Sequence, residues 1–397
     1  MAEKNRALIA THHLVDFAGS EISTLELATT LMSMGWEVTV AAILTGEPMI
    51  WEFHSRSIPL FNLLETELPI DNQHFDLVWI HHLPVFHEIV LFRKITGSKL
   101  IYCSLSPYEP FEAVPALLDS VTLLLANSRE NADHILSERG LPEGSVKIFP
   151  NSVPQHFWKV SKANYPSQPK KIALVSNHPP KEITELISIL QQAGREVRHI
   201  GIKGEPLLVT PGELMNYDAV ISIGKTVQYC FALKIPVYCY DHFGGPGWLN
   251  KHNFDLAYRN NFSGRGFSKK DSHSIIHELD AGFEKAVEQL EEHHEFAKNH
   301  FDLERNLKQM FNYEPFSIPN SGSMYQQLIL EHACYKRLAI ARQTSADTYK
   351  VNILNEEIRR RDAEIQRLTS TYSWQITKPL RLLANLPQLI KAVLMKK

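Results

Sequence analysis

Gly224, Lys225 and Thr226 end the stretch AVISIGKT, and a Gly-Lys-Thr run is what a phosphate-binding loop uses to hold a nucleotide. Such a loop turns several backbone N–H groups toward one phosphate, and glycine supplies the φ angles this needs. Here the residues before Gly224 are Val220, Ile221, Ser222 and Ile223. Val220, Ile221 and Ile223 are β-branched aliphatics, for which positive φ is a genuine outlier. The stretch therefore reads as a buried strand, with Gly224 just past its end and Lys225 and Thr226 opening a helix. An ammonium beside the free N–H groups of a helix N-terminus suits an anion, so a phosphate-facing role for Lys225 in some other α/β site stays open. The competing reading, a P-loop nucleotidase, requires Mg²⁺-dependent release of phosphate from ATP or GTP.

Further candidates lie on either side. Arg265 stands between two glycines in NFSGRGFSKKD, a loop whose guanidinium fork could clamp a phosphate. YDHFGGPGW puts Gly244 and Gly245 after an apolar run; they either admit a nucleotide close to the backbone or only shape a turn. Two histidine pairs, His12–His13 and His81–His82, each follow an apolar run, so one member of each faces inward and one outward. They are satisfied core histidines or contacts to a substrate. Glu109 in SPYEPFE is a loop carboxylate, which is usually solvated. His293 and His294 in EEHHEF are adjacent rather than four apart, which is wrong for holding one metal between them, and no metal site is expected.

The elements that would position these residues follow from hydrophobic patterning. Short apolar runs alternate with helical patterns, the signature of βα units and a parallel sheet. RALIATHH, WEVTVAAI, FDLVWIHH, SKLIYCSLS, SVTLLLANS and SVKIFPNSV read as strands of one sheet, with a helix over ISTLELATTLMSMG. After the proline-bearing linker SKANYPSQPKK the alternation restarts with KIALVSN, REVRHIGI, YDAVISIG and IPVYCYD. The fold class is α/β: two doubly wound Rossmann-like domains, residues 1–163 and 164–316, facing a cleft, followed by a helical C-terminal extension. Ligands of such sheets bind outside the C-terminal strand ends. In the extension, residues 317–372, Val351, Leu354, Ile358, Ile365 and Leu368 fall at a and d heptad positions, with Arg361 at one d site. This is a short coiled coil able to make a homo-oligomer, or one amphipathic helix packed on its own domain. Residues 373–397 hold no acid and carry Lys378, Arg381, Lys391, Lys396 and Lys397 among apolar side chains, a basic tail suited to an anionic membrane surface.

Composition narrows the class. A length of 397 residues gives room for two or three domains, and a net charge of −3 gives no sign of a nucleic-acid partner; none is expected. Cys103, Cys230, Cys239 and Cys334 form no CxxC pair, which points to a reduced, cytoplasmic setting. The N-terminal apolar run is too short for a signal peptide, and no apolar segment is long enough to span a bilayer, so a soluble or peripheral protein is expected.

Three stretches of the first half together resemble the GT-B glycosyltransferases, in particular the family 4-like group that uses nucleotide-sugar donors. FAGSEISTLELATTLMSMGWEVTV is similar to that family's glycine loop, first helix and second strand. FDLVWIHH resembles the strand that delivers a histidine into the cleft, and LLLANSRENADHILSERGLPEGSVKIFPNSV resembles the strand–helix–strand ending in Pro-Asn-Gly, with Ser152 in the glycine's place. SWQITKPLR is similar to a tail found on many bacterial envelope-polysaccharide glycosyltransferases. In the second half Lys181 matches the family's diphosphate lysine, while Asn177 stands where its arginine is expected. The family's glutamate pair should precede FALKIPVY; IGKTVQYC, without an acid, is there instead.

The resemblance implies transfer of a sugar from a nucleotide-diphosphate donor to a glycan or lipid-linked acceptor, with retention and without a catalytic metal or further cofactor. It implies that Gly19 and Ser20 line the loop over the reaction centre and that His81 contacts the sugar or acceptor, with His12, His82 and Glu109 on the acceptor side. Lys181, Gly224, Lys225, Thr226, Gly244, Gly245 and Arg265 form the expected donor site. The basic tail would bring the protein to the inner face of the membrane. The missing acids leave two other functions open: a GT-B-shaped scaffold without catalysis, and a sugar-nucleotide epimerase that needs no acceptor.

Overall fold

A computed structural model describes residues 4–315 together with Arg361, Ala363, Gln366 and Arg367, which are helical. The expected coiled coil and basic tail otherwise lie outside the described residues. Among the described residues no helix is long and apolar enough to cross a membrane.

The first sheet has seven strands: β1 (Arg6–Leu14), β2 (Glu37–Thr45), β3 (Leu60–Asn62), β4 (His74–Ile80), β5 (Thr96–Ser104), β6 (Leu123–Ala126) and β7 (Val146–Ile148). All pair in parallel, in the order β3-β2-β1-β4-β5-β6-β7. A parallel sheet covered on both faces needs apolar side chains on both, which is why β6 reads LLLA and is buried at each position. Helix α1 (Gly19–Ser33) covers one face next to α2 (Met49–Ser55), and α3 (Leu83–His87) and α4 (Arg129–Arg139) complete the unit. Ser128 caps α4 by accepting a hydrogen bond from Asn131 N, and Gly140 ends it in the left-handed conformation at φ 61°.

The second sheet holds β8 (Lys171–Val175), β9 (Glu196–Ile200), β10 (Ala219–Ser222), β11 (Val237–Asp241) and β12 (Gly244–Trp248), in the order β12-β11-β10-β8-β9. Its helices are α5 (Lys181–Gln192), α6 (Pro211–Leu214), α7 (Lys225–Leu233), α8 (Phe254–Arg259), α9 (Ser272–Glu288) and α10 (Leu290–His300). A last helix, α11 (Leu303–Phe311), returns to the first sheet. Its Leu303, Leu307 and Met310 join the cluster that includes Leu27, Trp79 and Leu125, and Trp36 stacks on Phe311 at 5.2 Å between ring centroids.

Each sheet reverses its strand order once, between β1 and β4 in the first and between β8 and β10 in the second. In open parallel sheets ligands sit at such reversals, beyond the C-terminal strand ends. Ala10 pairs with Ile80, so both histidine pairs lie together just past the first reversal. Leu174 pairs with Ile221, which sets Ser176 beside Ile223, next to Gly224, at the second.

One expectation needs correcting. The GGPGW run is a strand, not a turn open to a ligand: β12 folds back antiparallel on β11, with Tyr238 opposite Trp248 and a register shift between Cys239 and Asp241. Pro246 is tolerated because β12 is an edge strand. The glycines are needed for backbone packing, since a Cβ on Gly245 would lie 2.1 Å from Cys239 O and one on Gly244 2.7 Å from Ser268 O. Gly245→Ala is therefore expected to destabilise by about 1–3 kcal/mol through forced backbone displacement. Urea unfolding followed by tryptophan fluorescence measures this; an unchanged midpoint would contradict the close packing.

Candidate functional site

At the first reversal the histidines and two carboxylates interlock. His82, at φ 74°, accepts at Nδ1 from His12 N at 3.2 Å, so its proton is on Nε2, which lies 3.2 Å from Glu112 Oε1. Glu112 Oε2 in turn accepts from Leu105 N at 2.7 Å. His81 has both ring nitrogens occupied: Nδ1–H donates to Cys103 O at 2.8 Å, and Nε2 accepts from Trp79 Nε1 at 3.1 Å. Burial lowers its pKa to about 4, so it is a neutral imidazole at physiological pH. His81 borders a small cavity of about 30 Å³ but presents it no free nitrogen. The structure thus gives His81 a structural place rather than the catalytic one expected of it.

His13, one of the sequence candidates, is paired with a carboxylate that was not among them. Glu21, in the first turn of α1, is 1% exposed, and burial raises its carboxyl to about 7 against the pull of its own backbone N–H and of Ser20. Its Oε1 lies 3.3 Å from Nε2 of His13, whose side chain is 39% exposed, and its Oε2 accepts from Ser20 Oγ at 2.9 Å. His13 Nδ1 lies 3.3 Å from His12 Nδ1. The result is a buried carboxyl raised to about 7 beside a partly exposed imidazole. Adjacent Gly19 has nothing within 4 Å of where a Cβ would stand, so space is left over the loop. Glu109 is exposed, and partial desolvation and the Glu112 carboxylate raise its pKa.

The expected donor cations are engaged across the cleft by carboxylates of the other domain. Between β10 and α7 only Ile223 and Gly224 intervene, so no phosphate-binding loop forms; Gly224, at φ 58°, donates its N–H to Phe262 O at 2.9 Å. Lys225 Nζ sits 2.6 Å from Glu26 Oε2 on α1 and donates to Ser152 O at 3.0 Å. Tyr229, one turn on, donates from Oη to Glu26 Oε1 at 2.5 Å. Burial raises the Glu26 carboxyl even against the Lys225 charge, and it pushes the Tyr229 phenol well up, which keeps it a donor. Thr226 is buried behind this contact. Arg265 makes a two-pronged pair with Glu130 of α4, Nε to Oε1 at 2.8 Å and Nη2 to Oε2 at 2.5 Å, and lies over the rings of Tyr108 and Phe243. Lys181 is apart from both: its side chain is 89% exposed and pairs with Glu185 at 3.4 Å on its own helix. The sequence candidates thus gather at two reversals, with Gly244, Gly245 and Lys181 outside the cross-cleft contacts. The signal for Glu21 was its place in the first helical turn after the histidines, and the signal for Glu26 was an acid among the apolar residues of α1.

Among the described residues no group of three His, Cys, Asp or Glu side chains is arranged to hold a metal ion. No protein-family model matches the chain, and no curated protein matches it. Among solved structures it is similar to a glycosyltransferase from Rickettsia africae ESF-5, at 11% identity and TM-score 0.48 over 78% of this chain and 97% of that one. It is also similar to sucrose-phosphate synthase from Thermosynechococcus elongatus, at 12% identity and TM-score 0.44 over 83% and 100%. A third is S. aureus MnaA in a co-structure with UDP, at 12% identity and TM-score 0.44 over 78% and 95%. Identities and scores of this size leave the chemistry to be argued from the site itself. The architecture is plain from the topology: two doubly wound sheets with a last helix returning to the first form the GT-B fold.

The titrations fix a sign. A carboxyl raised from 4.5 to about 7 adds stability that is complete below 4.5 and is lost as pH climbs to 7. His81, lowered from 6.5 to about 4, does the reverse, adding stability above 6.5 that is lost as pH falls. The two oppose each other, so Glu21→Gln is needed to isolate the first. In urea unfolding, wild type is expected to lose stability relative to Glu21→Gln between pH 4.5 and 7; a pH-independent difference would contradict the raised carboxyl.

Proposed function

We propose that this chain is a glycosyltransferase that moves a sugar from a nucleotide-diphosphate donor to a hydroxyl of a glycan or lipid-linked acceptor. The observation that carries the reading is the Glu21–His13 pair at the first strand-order reversal, opposite the second domain's reversal. In the reaction the acceptor oxygen forms a bond to the anomeric carbon, the bond from that carbon to the diphosphate oxygen breaks, and the acceptor proton is released. Glu21, with its pKa near 7, is suited to take that proton at neutral pH, with His13 as the exposed member through which it passes. The diphosphate leaving group needs cations, and Lys225 and Arg265 are the ones at hand once an anion displaces Glu26 and Glu130. Retention of configuration comes with the sequence resemblance and requires the acceptor oxygen to add on the face that the diphosphate leaves; independence of a metal and work on envelope polysaccharide at the inner membrane face belong to the same proposal.

A second reading, a scaffold without turnover, is favoured by one observation: both donor cations already hold carboxylates of the opposite domain. The two separate in a thermal-shift series with UDP, GDP, CDP, dTDP, ADP and their sugar conjugates. A ligand at about 100 times its Kd stabilises by roughly 2.7 kcal/mol. The transferase reading expects a shift with one base that is lost in Arg265→Ala, and a drop in transfer of about 10²–10⁴-fold in Glu21→Gln with nucleotide binding intact. No shift with any nucleotide would leave the scaffold.

A further inference from the structure

A cavity of about 290 Å³ lies between the domains beside α7, near the lower limit of ordinary ligand pockets. Its walls come from both sheets: Ser128 at the start of α4 and Pro150 from the first, Gln228 of α7, Tyr258 of α8, Phe262 and Phe301 from the second. Pro150 also borders the small cavity next to His81 and Lys225, so the two spaces share a wall.

Gln228 is 1% exposed, and its Oε1 has no hydrogen-bond partner. A buried amide left unpaired is costly, and rotation about its terminal bond turns it to the cavity it lines. The chemistry that satisfies it is a hydroxyl, which both donates and accepts and so serves whichever amide atom it meets. The aromatic walls of Tyr258, Phe262 and Phe301 suit the C–H faces of a ring. Charge argues against an anion: Arg129 and Arg259 share Asp133 at 2.7 and 2.6 Å, and Asp255 also lines the wall. The wall is held at a cost, since Asn261 and Phe262 both sit at positive φ, 55° and 51°, which is an outlier for a bulky phenylalanine.

We propose that this cavity binds a neutral sugar ring of the acceptor, one of its hydroxyls pairing with the Gln228 amide. Taking the ring to be the acceptor's rests on the glycosyltransferase reading; the ring chemistry does not. The test is saturation-transfer NMR on the full chain with methyl glucoside, methyl mannoside, methyl galactoside and N-acetylglucosamine as probes, for wild type and Gln228→Leu. Saturation transfer to at least one probe in wild type, lost in a variant whose melting temperature is unchanged or raised, is the expected result. Transfer to none of the probes, or transfer that survives in Gln228→Leu, overturns the site. Displacement of the bound probe by a nucleotide sugar but not by its bare diphosphate overturns the acceptor assignment, because the ring would then be the donor's. Failure here while a nucleoside diphosphate still shifts the melting temperature removes the cavity alone, and sugar binding without any nucleotide shift removes the transferase reading alone.

Discussion

A buried carboxylate has to be neutralised where it stands, and that of Glu26 is neutralised from the other domain. Removing such an ion from water costs several kcal/mol, and the contact persists only if its remaining acceptor sites are filled. Here Lys225 takes Oε2 and Tyr229 takes Oε1, while Ser152 of the connecting segment takes a further Lys225 N–H. Three segments distant in sequence are therefore tied at one point: the middle of α1, the start of α7 and the junction between the sheets. The position of α7 in turn sets Gln228 against the inter-domain cavity and fixes how the two strand-order reversals face each other.

The carboxylates of the first domain differ in what stands beside them. The carboxylates of the first domain that meet cations, Glu26 with Lys225 and Glu130 with Arg265, are held as structural partners. Glu21 has the His13 imidazole and the Ser20 hydroxyl beside it, and burial raises its carboxyl to about 7 against the pull of Ser20 and of its own backbone N–H. His81, with both nitrogens engaged, has no such freedom. Two titratable groups at the same strand ends thus differ because one is engaged by backbone and indole in the interior while the other meets a partly exposed imidazole.

Much of the architecture was legible because parallel strands buried on both faces spell uninterrupted apolar runs, and each such run from RALIATHH to IPVYCYD became a strand. β12 was not legible: its glycines and proline carry no apolar pattern, and it exists because its backbone packs onto Cys239 and Ser268. Lys225 was legible as a cation at a strand end, but its partner was not, since Tyr229 and Glu26, bound in the same cluster, are 203 residues apart. Arg265 and Glu130, 135 residues apart, pose the same difficulty. Residue type and local spacing place a charge at a strand end; only the docking of two domains says whether it meets a ligand or a carboxylate.

The central claim, that Glu26 and Lys225 bind each other across the domains, is tested most directly by a double-mutant cycle on unfolding free energy with Glu26→Gln, Lys225→Met and the pair. The account predicts a coupling of about 1–3 kcal/mol, with the double variant more stable than the sum of the single losses allows. Additivity within about 0.5 kcal/mol would contradict it and release Lys225 from the inter-domain contact.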